Sequence, residues 1–76
     1  MKTQDKNTIR LKALSENLKG LRNKKGWSIE ELSQTSKISV KILRQIESGK
    51  DFDIDYLFKL CEIYGIELSE IFSLIE

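Results

Sequence analysis

The sequence predicts an all-α domain of five short helices, with a helix-turn-helix formed by the second and third. Apolar residues recur at spacings of three and four along most of its length, the period of one buried helix face. Serine or aspartate stands at three helix starts, glycine at three helix ends, and no proline interrupts any of the segments.

Taken in order, residues 1 to 8, MKTQDKNT, carry no periodic apolar positions and read as a flexible arm containing Lys2 and Lys6. Residues 9 to 76 then form the single folded domain. Its first helix is expected from Ile9 to Lys25, with Leu11, Leu14, Leu18 and Leu21 inward and Gly26 as the stop. Gly20, inside that helix, costs about 1 kcal/mol relative to alanine, so either another helix approaches closely there or the position tolerates it. The second helix, Ile29 to Thr35, has the stronger start: Ser28 caps it, Glu31 completes a capping box, and Trp27 and Leu32 make the hydrophobic staple. A turn carrying Ile38 leads to Ser39, which caps the third helix, Val40 to Ser48, before Gly49 ends it. Asp53 caps a fourth helix from Ile54 to Tyr64, with Ile54, Leu57, Leu60 or Cys61, and Tyr64 inward and Gly65 at its end. The fifth begins near Leu68. Its apolar residues Leu68, Ile71, Phe72, Leu74 and Ile75 exceed what one face of a two-turn helix buries, which predicts a contact with a second copy.

Composition narrows the function. A domain of 76 residues buries only about 60% of its unfolded surface, which argues against a deep enzyme cleft or a small-molecule substrate site. Paired carboxylates such as Asp53 and Asp55 occur without a glycine-rich loop, so no enzyme is expected. Cys61 is the single cysteine and histidine is absent, which removes disulfide frameworks, common zinc sites and histidine-based triads; no metal or cofactor is implied. No apolar run is long enough to span a bilayer and the first residues lack a signal core, so the expected place is the cytoplasm. Net charge is +1, but it is unevenly spread: 12 basic against 5 acidic residues up to Lys50, and Lys59 alone against 7 acids from Asp51 onward. The basic part holds the helix-turn-helix, as contact with phosphate requires, and the acidic part belongs on the far side.

Within the third helix, Leu43 and Ile46 face inward while Lys41, Arg44, Gln45 and Ser48 face out. An amphipathic helix with such an outer face is commonly a solvated surface. A helix of only about nine residues after a tight turn is also the size that a major groove admits.

The runs LKGLRNKKGWSIEELS at 18–33 and KISVKILRQIESGK at 37–50 resemble the phage-repressor helix-turn-helix family, the lambda-repressor-like, Cro or XRE group. The likeness continues through LFKLCEIYGIELSEIF at 57–72. It implies five helices, sequence-specific binding of double-stranded DNA, and a homodimer on a two-fold operator, hence transcription regulation. It also implies that Arg22 pairs with Glu47, and that Cys61 takes a core place often held by alanine. Three features depart from the family pattern: Ile29 stands where a phosphate-binding glutamine is frequent, Asp51 and Asp53 replace a basic loop, and that loop lacks its proline. On this reading Val40, Lys41, Ile42 and Gln45 reach base edges, with Lys41 suited to guanine, Gln45 to adenine, and Val40 or Ile42 to a thymine methyl. Trp27, Ser28, Arg44, Ser48 and Lys50 hold phosphates. The departures keep open an adaptor that has the fold but binds protein instead of DNA, and an antitoxin or restriction-modification controller that still binds DNA.

Overall fold

A computed structural model describes the backbone of residues 8–9 and 12–73 and the side chains of residues 12–71. The helices are α1 (Lys12–Lys25), α2 (Ile29–Ser36), α3 (Val40–Glu47), α4 (Ile54–Tyr64) and α5 (Leu68–Ser73). Two short strands, β1 (Thr8–Ile9) and β2 (Phe52–Asp53), pair antiparallel with Thr8 opposite Asp53 and Ile9 opposite Phe52.

That ladder corrects the expected start of the first helix. The helix is expected to begin at Ile9, yet the Ile9 backbone pairs with Phe52 and α1 begins at Lys12. Threonine and isoleucine are β-branched and favour a pleated backbone, and a neighbouring strand satisfies their amides where a helix end would leave them free. Thr8, assigned to the arm, is a strand residue, while residues 1–7 and Leu11 lie outside the described residues. Phe52 is buried, so the loop after α3 is held by a core side chain as well as by the ladder.

The core follows the periodicity. Leu14 and Leu18 of α1, Leu32 of α2, Ile38 of the turn, Leu43 and Ile46 of α3, Leu57, Leu60, Cys61 and Tyr64 of α4, and Ile71 of α5 are all buried together. Ile54 stands at the edge of this cluster, partly buried. Ser15 is buried as well, and its Oγ donates to the Ile46 carbonyl at 2.5 Å, tying the first turn of α1 to the last turn of α3. Gly20 has open space around it, so no helix approaches there and the position is one of tolerance.

The helix ends explain the geometry of the turns. After α3 the Gly49 amide donates to Ile46 and the Lys50 amide to Gln45, a Schellman pair that needs the left-handed backbone of Gly49 at φ 86°. A Cβ on Gly49 would also come within 3.1 Å of the Lys12 side chain. Helices α1 and α4 close in the same manner at Gly26 and Gly65. α2 differs: Lys37 takes the left-handed position at φ 66° and gives a single bond from its amide to the Ser33 carbonyl at 2.8 Å. A side chain in that conformation is strained by about 1 to 2 kcal/mol, a cost glycine would not carry.

Ile71 requires a second correction. It is fully buried by its own chain, and Leu68 packs partly against the same core, so Ile71 offers no surface to a partner and Leu68 little. The reason is spacing: Leu68 and Ile71 are three residues apart and share the inward face of α5. Of the other residues expected at a dimer contact, the Phe72 side chain and residues Leu74 and Ile75 lie outside the described residues.

Candidate nucleic-acid interface

The interface is built from the start of α2 outward. Ser28 Oγ accepts from the Glu31 amide at 3.1 Å, and Glu31 Oε1 accepts from the Ser28 amide at 2.8 Å, the reciprocal bonds of a capping box. The Ser28 amide is therefore occupied, while its hydroxyl proton remains free to donate outward. The amides of Ile29 and Glu30 follow in the first turn, where helix geometry offers no acceptor behind them.

The turn between α2 and α3 is braced from both sides. Ser33 Oγ donates to the Ile38 carbonyl at 2.6 Å, and Ser36 Oγ accepts from the Ile38 amide at 3.2 Å. Both polar groups of the buried Ile38 backbone are thus satisfied by serine side chains of α2, which fixes the angle at which α3 leaves. Nothing in the apolar periodicity signalled these serines, although short hydroxyl side chains near a helix end bond such backbone groups readily. Ser39 Oγ then accepts from the Ile42 amide at 3.2 Å and starts α3.

Along α3, Leu43 and Ile46 are buried, Lys41 and Arg44 are exposed, and Val40, Ile42 and Gln45 are half-buried. Ile42 packs against the core, so only its outer edge borders the polar face. Ser48 and Lys50 are exposed just beyond the helix, and Ser48 Oγ donates to the Gln45 carbonyl at 3.0 Å.

Below α3, Arg22 of α1 grips Glu47. Its Nε donates to Glu47 Oε2 at 2.9 Å and its Nη2 to Oε1 at 2.9 Å, while Nη1 donates to the Trp27 carbonyl at 2.8 Å. The side chains are only 13% and 8% exposed. The hydrogen bond to Glu47 raises the Arg22 pKa above its ordinary value against the opposing effect of burial. One guanidinium thereby fixes the end of α3 and the chain entering α2.

Trp27 packs against the core. Its amide donates to the Arg22 carbonyl at 3.3 Å, and its ring stacks on Tyr64 with centroids 6.2 Å apart and planes 27° from parallel. Lys25 Nζ lies 5.9 Å from the ring centre on the outside. Amide and ring face are thus engaged within the protein, and Ser28 beside Trp27 is the more exposed of the two. Burial pushes the Tyr64 hydroxyl up to about 12, and that hydroxyl has no hydrogen-bond partner among the described residues.

Between α1, the start of α2 and the end of α3 lies an open depression lined by Lys19, Arg22, Ser28, Ile29, Arg44, Glu47 and Ser48. Arg22 and Glu47 neutralise each other, which leaves Lys19 and Arg44 as its cations. Lys19 was not singled out from the sequence because a lone lysine on a solvated face carries no periodic signal; only the packing of α1 against α3 brings it here. Asp53 serves as the cap of α4, its Oδ1 accepting from the Asp55 amide at 3.2 Å.

The same organisation is found in known proteins. The helix-turn-helix family description, of the Cro and C1 or XRE type, matches residues 18–71. The chain belongs to that family. A helix-turn-helix protein of this type is a DNA-binding regulator and not an enzyme. Among solved structures, this member is similar to the clp gene regulator ClgR from C. glutamicum, at 25% sequence identity and a TM-score of 0.72, over 90% of this chain and 88% of that one. No curated protein matches by sequence. The helix-turn-helix sits on a scaffold in which no described helix is long and apolar enough to cross a membrane, and no described cluster of side chains could hold a metal ion.

Proposed function

We propose that this helix-turn-helix protein regulates transcription by binding a two-fold operator as a homodimer, with α3 of each copy in the major groove. The observation that carries the reading is the outer face of α3, where Lys41 and Arg44 stand exposed beside the half-buried Gln45 while the opposite face is locked into the core. Lys41 and Val40 in the first turn go deepest into the groove, Gln45 follows one turn later, and the outer edge of Ile42 meets a thymine methyl. Lys19, the Ser28 hydroxyl, Arg44, Ser48 and Lys50 surround this face and hold phosphates. Two copies present their helices to half-sites about 34 Å apart, one turn of duplex. Acting on the genome, such a regulator works in the cytoplasm.

A mobility-shift assay with protein shown to be folded tests the reading. Sequence-dependent binding, weakened by salt, is the expected result; no preference among duplexes at low salt decides for a protein-binding adaptor. Sedimentation tests the dimer: Phe72→Glu lowers self-association, and a wild-type chain that stays monomeric at tens of micromolar, on the scale of many regulators, overturns the homodimer.

A further inference from the structure

Glu30 lies in the first turn of α2 and Arg44 in the last turn of α3, with Oε2 3.8 Å from Nη2 and the side chains 65% and 64% exposed. Helix α2 does not need this acid for its cap, because Glu31 already bonds the Ser28 amide. Nor does the fold need Arg44 to hold α3, because Arg22 and Ser15 do so from α1. The contact joins two otherwise surplus charges at the border of the depression that Lys19, Ser28 and Arg44 line.

Resting on the proposed DNA-binding role, we propose that Glu30 is a brake on phosphate binding: it holds Arg44 and sets how tightly, and with what salt dependence, the protein grips a duplex. Arg44 has one guanidinium to offer, and a phosphate seated in the depression competes with the Glu30 carboxylate for it. That carboxylate also repels the phosphate directly, and while it keeps Arg44 in the bound complex one phosphate is left without its cation. The contact is weak enough to yield, since both groups are solvated, and strong enough to be felt before the phosphate arrives. Its consequence falls on every duplex alike, because phosphates carry no sequence information. A regulator braked in this way leaves non-specific DNA more readily and depends more heavily on the base contacts of α3.

The test is a salt titration of duplex binding for four proteins: wild type, Glu30→Gln, Arg44→Gln and the double variant, each checked for helix content and melting. Glu30→Gln is expected to tighten binding about three- to tenfold at low salt and to steepen the slope of log affinity against log salt by about 0.9, the signature of one more neutralised phosphate. In the Arg44→Gln background the same change is expected to leave the slope where it was. If Glu30→Gln changes nothing, or gives equal gains with and without Arg44, the brake is overturned and Glu30 is only part of the general field. If wild type binds no duplex, the DNA-binding role itself fails and the brake falls with it.

Discussion

Two arginine–glutamate pairs tie α3 to its surroundings, and they differ in every physical respect. Arg22 and Glu47 meet through two bonds of 2.9 Å with side chains 13% and 8% exposed; Arg44 and Glu30 approach only to 3.8 Å with both largely in water. In the first, desolvation has been met by geometry, and a third bond to the Trp27 carbonyl uses the remaining arm of the guanidinium. In the second, water screens the charges and either side chain is free to leave. The same residue types therefore make a fixed clamp on the inner side of α3 and a releasable contact on its outer side. Burial, not residue identity, decides which.

The comparison breaks most decisively at the clamp. Replacing Glu47 by alanine leaves the Arg22 charge buried without its partner and should cost about 3 to 5 kcal/mol in urea denaturation. A loss below about 1 kcal/mol would place the clamp in the same class as the outer pair. Replacing both residues by apolar side chains of similar volume should recover most of the loss, since no charge is then stranded.

A smaller effect should appear on the inner side at alkaline pH. Tyr64 titrates at about 12, raised first by burial and then by the charge of Glu47, with Arg22 acting in the opposite sense. The unfolded hydroxyl releases its proton near pH 10, so above that pH the unfolded chain binds fewer protons than the folded one and stability falls. The linked stability is intact below about pH 10 and lost by about pH 12, at most about 3 kcal/mol, and Tyr64→Phe should abolish this portion of the fall. At neutral pH the same substitution should cost under about 1 kcal/mol, because the hydroxyl has no partner among the described residues to lose.

On the outer side the reserve of energy is in the backbone. Lys37→Gly should stabilise the protein by about 1 kcal/mol by relieving its left-handed conformation, less the added freedom of glycine in the unfolded chain, as thermal melting would show. Glu30→Gln should shift stability by less than about 0.5 kcal/mol, the smallest effect of the series. A large loss there would mean that the outer pair also clamps.

This contrast shows why some of the molecule was legible in its sequence. Helices α3 and α4 announced themselves because cap, periodicity and stop agreed at each, and α2 by its capping box; Ser28, Ser39, Asp53, Gly49 and Gly65 all occupy the positions those signals give. The first helix begins later than expected because no local signal shows that the Ile9 backbone bonds a strand forty-three residues away. Ile71 was taken for a surface residue because a count of apolar groups on a short helix does not say which of them the remaining core absorbs. Trp27 reads in the sequence as the staple partner of Leu32 and a neighbour of phosphate, whereas its stacking on Tyr64 arises only when the start of α2 and the end of α4 meet. The pairing of Glu30 with Arg44 had no signal at all: fourteen residues apart on different helices, they are brought together by the turn that the Ile38 backbone and its two serine partners define.

The central claim is that α3 reads bases, and parallel selection from a random duplex pool by wild type and Gln45→Ala tests it most directly. The wild-type chain should enrich a two-fold site with half-sites about 34 Å apart, and Gln45→Ala should lose preference at one symmetric base position while binding falls by about 1 to 3 kcal/mol. Identical enriched sites for the two proteins, or none for either, would contradict it.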